Sequence, residues 1–170
     1  MKTISIVRHA KAEKPELYPG DFERPLTTRG HKDAERMATL LARLEPAVDL
    51  LLSSPAARAA QTADRFAAIL GYANAVTWEE GIYLASAETL LALLRNAPDE
   101  ATHLLLIGHN PGLEEVVAGL CAGAADSGVL TLPTAALAQL EVDITRWGQL
   151  RWGIGRLRLL VTAKAVREVK

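Results

Sequence analysis

The stretch Ile4-Ser5-Ile6-Val7-Arg8-His9 decides the reading of this chain. Its apolar part is short, mostly β-branched and stopped by charge at Arg8-His9, which is the signature of a buried first strand. Similar runs recur downstream. Val48 to Leu52 reads as a second strand, Ala75 to Trp78 as a short third, and Leu104 to Ile107 as a strongly apolar fourth. Helical patterns fill the intervals. Ala34, Met37, Ala38, Leu41 and Leu44 recur at helical spacing, with Thr27 or Thr28 as the cap and Pro46 beyond the end. Ser53-Ser54-Pro55 opens a second helix, with an apolar face from Ala59 to Leu70 and Gly71 as its stop. Ser86-Ala87-Glu88-Thr89 begins a third helix that Pro98 ends, and Leu113 to Cys121 forms a fourth.

Ala12 to Pro25 holds three prolines and reads as a loop. Ala135 to Val142 and Gln149 to Ile154 read as a hairpin around Arg146-Trp147-Gly148. Leu157 to Lys170 suits either strand or helix. Strands alternating with helices imply an α/β fold, a three-layer α/β/α sandwich with a mostly parallel central sheet. The 170 residues suit one domain, 1–170.

Composition narrows the function classes. The net charge of −1 gives no argument for a nucleic-acid or anionic-membrane partner, so any anion site must be built locally. The apolar N-terminal stretch is too short for a signal peptide or a spanning helix, and a cytoplasmic location is the default. The single cysteine, Cys121, lies in an apolar run and reads as a small buried hydrophobe. No carboxylate cluster has ligand spacing, so neither a metal nor another cofactor is expected.

In parallel sheets ligands sit beyond the carboxyl ends of the strands. Here three such ends carry chemistry. Arg8-His9 leaves the first strand, Ser53-Ser54-Pro55-Ala56-Ala57-Arg58 follows the second, and Gly108-His109 leaves the fourth. Guanidiniums match phosphate oxygens, and phosphoryl transfer needs fixed positive charge and positioning. A neutral imidazole can attack phosphorus, and a protonated one can donate to its oxygens. The helix start after Ser54-Pro55 adds backbone donors.

These residues fall into a pattern. Arg8-His9-Ala10 resembles the RHG signature of the histidine phosphatase superfamily, also called phosphoglycerate-mutase-like. Arg24-Pro25-Leu26-Thr27-Thr28-Arg29-Gly30, Ser53-Ser54-Pro55-x-x-Arg58-Ala59-x-Gln61-Thr62 and Gly108-His109-Asn110-Pro111 resemble its later landmarks. Together they are most similar to the small SixA-type phosphohistidine phosphatases, from Lys2 to about Val142.

The resemblance implies a phosphoglycerate-mutase-like fold, with His9 as nucleophile and Arg8, Arg58 and His109 binding the phosphoryl group. Ala10 stands where glycine is usual. Glu80 is the positional candidate for the general acid, with Glu79 beside it. Asp21 is the other candidate, in a loop that would also touch substrate. On these roles the rate should fall in acid as His9 protonates and in alkali as His109 loses its proton. His31 and His103 match no landmark and read as structural, and the three tryptophans as packing residues.

The interval from Arg58 to His109 is filled by predicted core elements, leaving nothing for a helical lid. An open site suits a phosphohistidine displayed on a protein. Two alternatives stay open. One is a small-molecule phosphatase or mutase of the same family. The other is a non-catalytic phosphate-binding module.

Overall fold

A computed structural model describes residues 1–44, 46–125, 128 and 130–168. Strands β1 (Lys2–Arg8), β2 (Leu50–Ser53), β3 (Thr77–Trp78), β4 (His103–Gly108), β5 (Leu137–Val142) and β6 (Gly155–Val161) form one sheet in the order β3-β2-β4-β1-β5-β6. β1 to β4 run parallel, and β5 and β6 add antiparallel pairs at one side.

Period-2 alternation sorts the central strands onto two faces. Ile4, Ile6, Leu104 and Leu106 enter one core, packed with residues of α3 (Ala87–Arg95) and α4 (Gly112–Ala122). Val7, Leu105 and Ile107 enter the other, beneath α1 (Thr28–Leu41), α2 (Ala57–Leu70) and α5 (Ala163–Glu168). Burial on both faces explains why β1 and β4 read as near-continuous apolar runs. The architecture is the expected three-layer α/β/α sandwich.

The helix boundaries follow local chemistry. The Thr27 hydroxyl accepts from Gly30 N at 2.9 Å and Ser86 accepts from Thr89 N at 3.2 Å, so each helix start satisfies one of its free amides. Gly71 closes α2 in the left-handed region at φ 61°, a conformation glycine adopts without a Cβ clash.

The C-terminal third departs from the sequence reading. The strand paired with β5 is Gly155–Val161, displaced from the expected Gln149 to Ile154. Trp147–Gln149 is a single 3₁₀ turn that sends Trp147 into the core while Gly148 and Gln149 stay exposed. Trp147 is fully buried, its indole donates to Ala101 O at 3.0 Å, and its amide donates to Asp99 Oδ1 at 2.8 Å. An anchored indole cannot tip a solvent-facing hairpin, so pairing resumes only after this turn. The ambiguous end resolves as both alternatives: strand to Val161, then helix. Arg167 ties α5 to the buried carboxylate of Asp33 at 2.8 Å. Residues 169 and 170 of that stretch lie outside the described residues.

Cys121 is half-buried against the α3–α4 core, and burial raises its thiol pKa. Among the described residues no helix is long and apolar enough to cross a membrane.

Candidate active site

Sheet register brings the three strand exits together. Arg8 is opposite Gly108 across the β1–β4 pair, so His9 and His109 leave the sheet side by side. Ser53 is opposite Ile107 on the other flank of β4. Backbone bonds continue the pairing past the strands, from His9 N to Gly108 O at 3.0 Å and from Ser54 N to Ile107 O at 3.1 Å. The imidazole centroids of His9 and His109 are 5.1 Å apart.

His9 Nδ1 is 2.8 Å from the carbonyl oxygen of Ala10. A carbonyl only accepts, so Nδ1 carries the proton and Nε2 keeps its lone pair. Arg58 Nε donates to that Nε2 at 3.3 Å. Burial pushes the His9 pKa down to about 4; the Ala10 bond opposes this, and the charges of Arg58, Arg8 and Arg24 reinforce it. His9 is therefore neutral near pH 7, in one tautomer, with Nε2 toward the guanidinium. Ala10 N donates to Thr62 Oγ1 at 3.0 Å, which fixes the turn. The left-handed non-glycine residues among those described are Leu84 and Ala135, so alanine at position 10 carries no such strain.

His109 differs from expectation. Burial, then the proximity of His9 and Arg58, hold its pKa down to about 3, so in this state it is a neutral imidazole and not an imidazolium. Its Nε2 meets Ser54 Oγ at 2.9 Å, while Nδ1 is buried without a partner among the described residues. Arg8 Nη1 donates to Leu132 O at 3.0 Å, and its buried Nε is likewise unpartnered. Asn110 Nδ2 donates to the same Leu132 O at 3.0 Å. A buried polar atom without a partner calls for an explanation, and a site that completes its bonds with a ligand is one.

Asp21 is at the centre of a cationic knot. Its Oδ2 accepts from Arg58 Nη2 at 2.8 Å and from Tyr83 OH at 2.7 Å. Its Oδ1 accepts from Arg24 Nε at 2.9 Å. Burial works to raise the Asp21 pKa, but the bonds from Tyr83 and Arg58 and the charges of Arg58 and Arg24 outweigh it and lower it to about 2. It is a carboxylate at neutral pH and has no proton to give as an acid.

Glu80 stays outside this knot. It is exposed at the head of the 3₁₀ turn Glu80–Ile82, and its side chain makes no hydrogen bond or ion pair among the described residues. Glu79 caps the same turn through Gly81 N at 3.3 Å. The side chain of this segment that reaches the site is Tyr83, which the sequence reading missed. Its ring stands edge-on to His109 at 5.3 Å and to Phe22 at 5.0 Å. Two glycines admit the segment: a Cβ on Gly108 would press on Ile82, and one on Gly112 would collide with Ala85 O. Next to Tyr83, Leu84 is held at φ 49°, a left-handed conformation that costs a branched residue roughly 1–2 kcal/mol. Such close approach beside His109 was the available signal, and it shows only once the backbone is folded.

The mouth is open: the Asp21 side chain is 42% exposed and Leu84 57%. A cleft of about 350 Å³ between α1 and α5, lined by Lys32, Arg36 and Val166 among others, touches none of these residues. Among the described residues no group of three His, Cys, Asp or Glu is placed to hold a metal ion.

A neutral imidazole, two guanidiniums and a second imidazole at the carboxyl edge of an α/β sandwich define a class of phosphate-handling sites. Comparisons with known proteins narrow it. Residues 4–81 match the model of the histidine phosphatase superfamily, branch 1. An uncharacterized protein of Mycobacterium tuberculosis is 31% identical over 157 residues, covering 89% of this chain and 96% of its own length. Among solved structures, the chain is similar to a candidate phosphohistidine phosphatase SixA from Nakamurella multipartitia (TM-score 0.81, 26% identity, 95% of each chain). It is also similar to one from Agrobacterium tumefaciens (TM-score 0.78, 28% identity, 95% of this chain and 97% of that one). The chain belongs to the histidine phosphatase superfamily.

Proposed function

We propose that this phosphatase hydrolyses phosphohistidine on a protein, through a phosphoryl group carried transiently by His9 Nε2. The carrying observation is the Nδ1–H bond to Ala10 O, which leaves the Nε2 lone pair beside Arg58. Attack on phosphorus forms the Nε2–P bond and breaks the bond to the substrate ring. His9 becomes a phosphoimidazolium, its positive charge next to the Ala10 carbonyl. Water then attacks phosphorus, the Nε2–P bond breaks, and phosphate leaves with neutral His9 restored.

Arg8 and Arg58 hold the equatorial oxygens in this scheme. Asp21 aims Arg58 by taking its Nη2, and does not touch the anion itself. His109 needs no second proton for its part: with Nε2 on Ser54 Oγ, its unpartnered Nδ1 can donate to a phosphoryl oxygen from the neutral ring. A phosphohistidine protonated on its free ring nitrogen departs as neutral imidazole and needs no acid, consistent with an ionised Asp21 and a Glu80 outside the knot. The open mouth and the phosphohistidine phosphatase names of the two solved neighbours support the same substrate.

The test is hydrolysis of a histidine-phosphorylated protein by the wild type and by His9→Ala, with the acid-labile phosphoenzyme trapped by rapid quench. Turnover and a labelled intermediate are expected in the wild type, and neither in the variant. Equal rates would remove His9 from the mechanism.

A further inference from the structure

The scheme above leaves Tyr83 without a part, although its hydroxyl is at the rim of the site. Its proton is directed to Asp21 Oδ2. A phenol oxygen that donates still accepts. Donation to a carboxylate makes that oxygen the better acceptor. The carboxylate itself is full: Oδ1 takes Arg24, and Oδ2 takes Arg58 and Tyr83. The ring cannot drift, because its edge contacts fix it against His109 and Phe22. Here is a half-buried, oriented acceptor beside a pocket otherwise rich in donors.

Phosphate oxygens have no use for an acceptor. A leaving group that bears N–H does. Whichever ring nitrogen of phosphohistidine carries phosphorus, the other carries the proton in the protonated form that departs as neutral imidazole. We propose that Tyr83 accepts the N–H of the departing imidazole and selects phosphohistidine over phosphoesters; this rests on the phosphohistidine reading. As the N–P bond breaks, its electron pair enters the leaving ring, which departs neutral with its proton still on the far nitrogen. No proton crosses to Tyr83. A phosphoester leaves through an oxygen that has no N–H to give, so it gains nothing from this lone pair, while Arg58 and Arg24 already offset the Asp21 charge. The same group therefore offers one leaving group a hydrogen bond that the other cannot make.

The experiment compares kcat/KM for phosphoimidazole, N-methyl phosphoimidazole and p-nitrophenyl phosphate in the wild type and Tyr83→Phe. The N-methyl compound keeps the ring and the positive charge but lacks N–H. In the wild type it should react about tenfold more slowly than phosphoimidazole, the order of one hydrogen bond. In Tyr83→Phe, which keeps the ring contacts, that gap should close, and the preference for phosphoimidazole over the nitrophenyl ester should fall about tenfold. Equal wild-type rates on the two imidazoles would overturn the proposal without calling on any variant. So would equal losses on all three substrates in Tyr83→Phe, which mark a prop for Asp21 and Arg58; both results leave the phosphohistidine reading standing. A wild type that hydrolyses only the nitrophenyl ester removes that reading, and the proposal with it.

Discussion

β4 begins with His103 and is followed by His109, and the two ends can be compared directly. Both histidines are buried, both place Nε2 on a serine hydroxyl (Ser5 at 2.8 Å, Ser54 at 2.9 Å), and burial depresses both pKa values. They part at the other nitrogen. His103 Nδ1 donates to Pro46 O at 2.6 Å, and the charge that acts on it is the Asp49 carboxylate. His109 Nδ1 has no partner among the described residues, and Arg58 and Arg8 press on it. Burial alone therefore does not mark a site. An unfinished hydrogen-bond inventory in a field of cations does, because only an anion completes it.

Exchanging each residue for alanine gives the sharpest break. His109→Ala removes a donor to the transferring group, and turnover of a phosphohistidine peptide should fall about 10²–10³-fold. His103→Ala should leave turnover close to wild type. It should instead lower unfolding free energy by about 1–3 kcal/mol, because Ser5 and Pro46 O lose a buried partner. Steady-state rates and urea melts on both variants separate the outcomes. Equal losses of turnover at the two ends would end the distinction.

The pH profile is the next lever, and the structure reverses half of the sequence-based expectation. His9 has its pKa lowered to about 4, so the nucleophile is neutral above that value and protonated below it. kcat/KM should fall about tenfold per pH unit below 4, once the substrate's own ionisation is divided out and circular dichroism confirms the fold. His109 is already neutral at pH 7, with its pKa at about 3, so it can lose no proton in alkali in the free enzyme. The profile should stay level from pH 7 to 9. An alkaline limb in kcat/KM there would return His109 to the protonated role.

What was legible in the sequence follows from the same comparison. Arg8, His9, Arg58 and His109 were readable because strand ends are readable, and parallel register carries their residues to one edge. Which histidine is core and which faces the site was readable only from its neighbours in the sequence pattern. Charge state was not, since it depends on burial that no local string reports. Tyr83 was invisible for a related reason. In Glu80-Gly81-Ile82-Tyr83-Leu84 it is an unremarkable aromatic, and it reaches His109 only because Gly108 and Gly112 let that segment close in. The misplaced hairpin has the opposite cause. Trp147 and Gly148 suggest an exposed turn, but the indole is worth more buried, under Lys2 and against Ala101 O.

The two serines offer the smallest and most discriminating test. Ser54 Oγ accepts from Ala56 N at 3.3 Å, so its own proton is available to His109 Nε2. That choice places the His109 proton on Nδ1, the nitrogen with no partner. Ser5 Oγ stands in the same relation to His103 Nε2, with Gln139 Nε2 donating to it at 3.3 Å. Both hydroxyls are fully buried, and removing either should lower stability by about 1 kcal/mol. Only Ser54→Ala releases the tautomer of a ring that faces the reaction. It should lower kcat about fivefold with KM little changed, the mark of an interaction made mainly in the transition state. Ser5→Ala should leave kcat alone. A matched loss of kcat in both variants would show that the rate reports general loosening of β4, and the contrast between its two ends would then be one of packing.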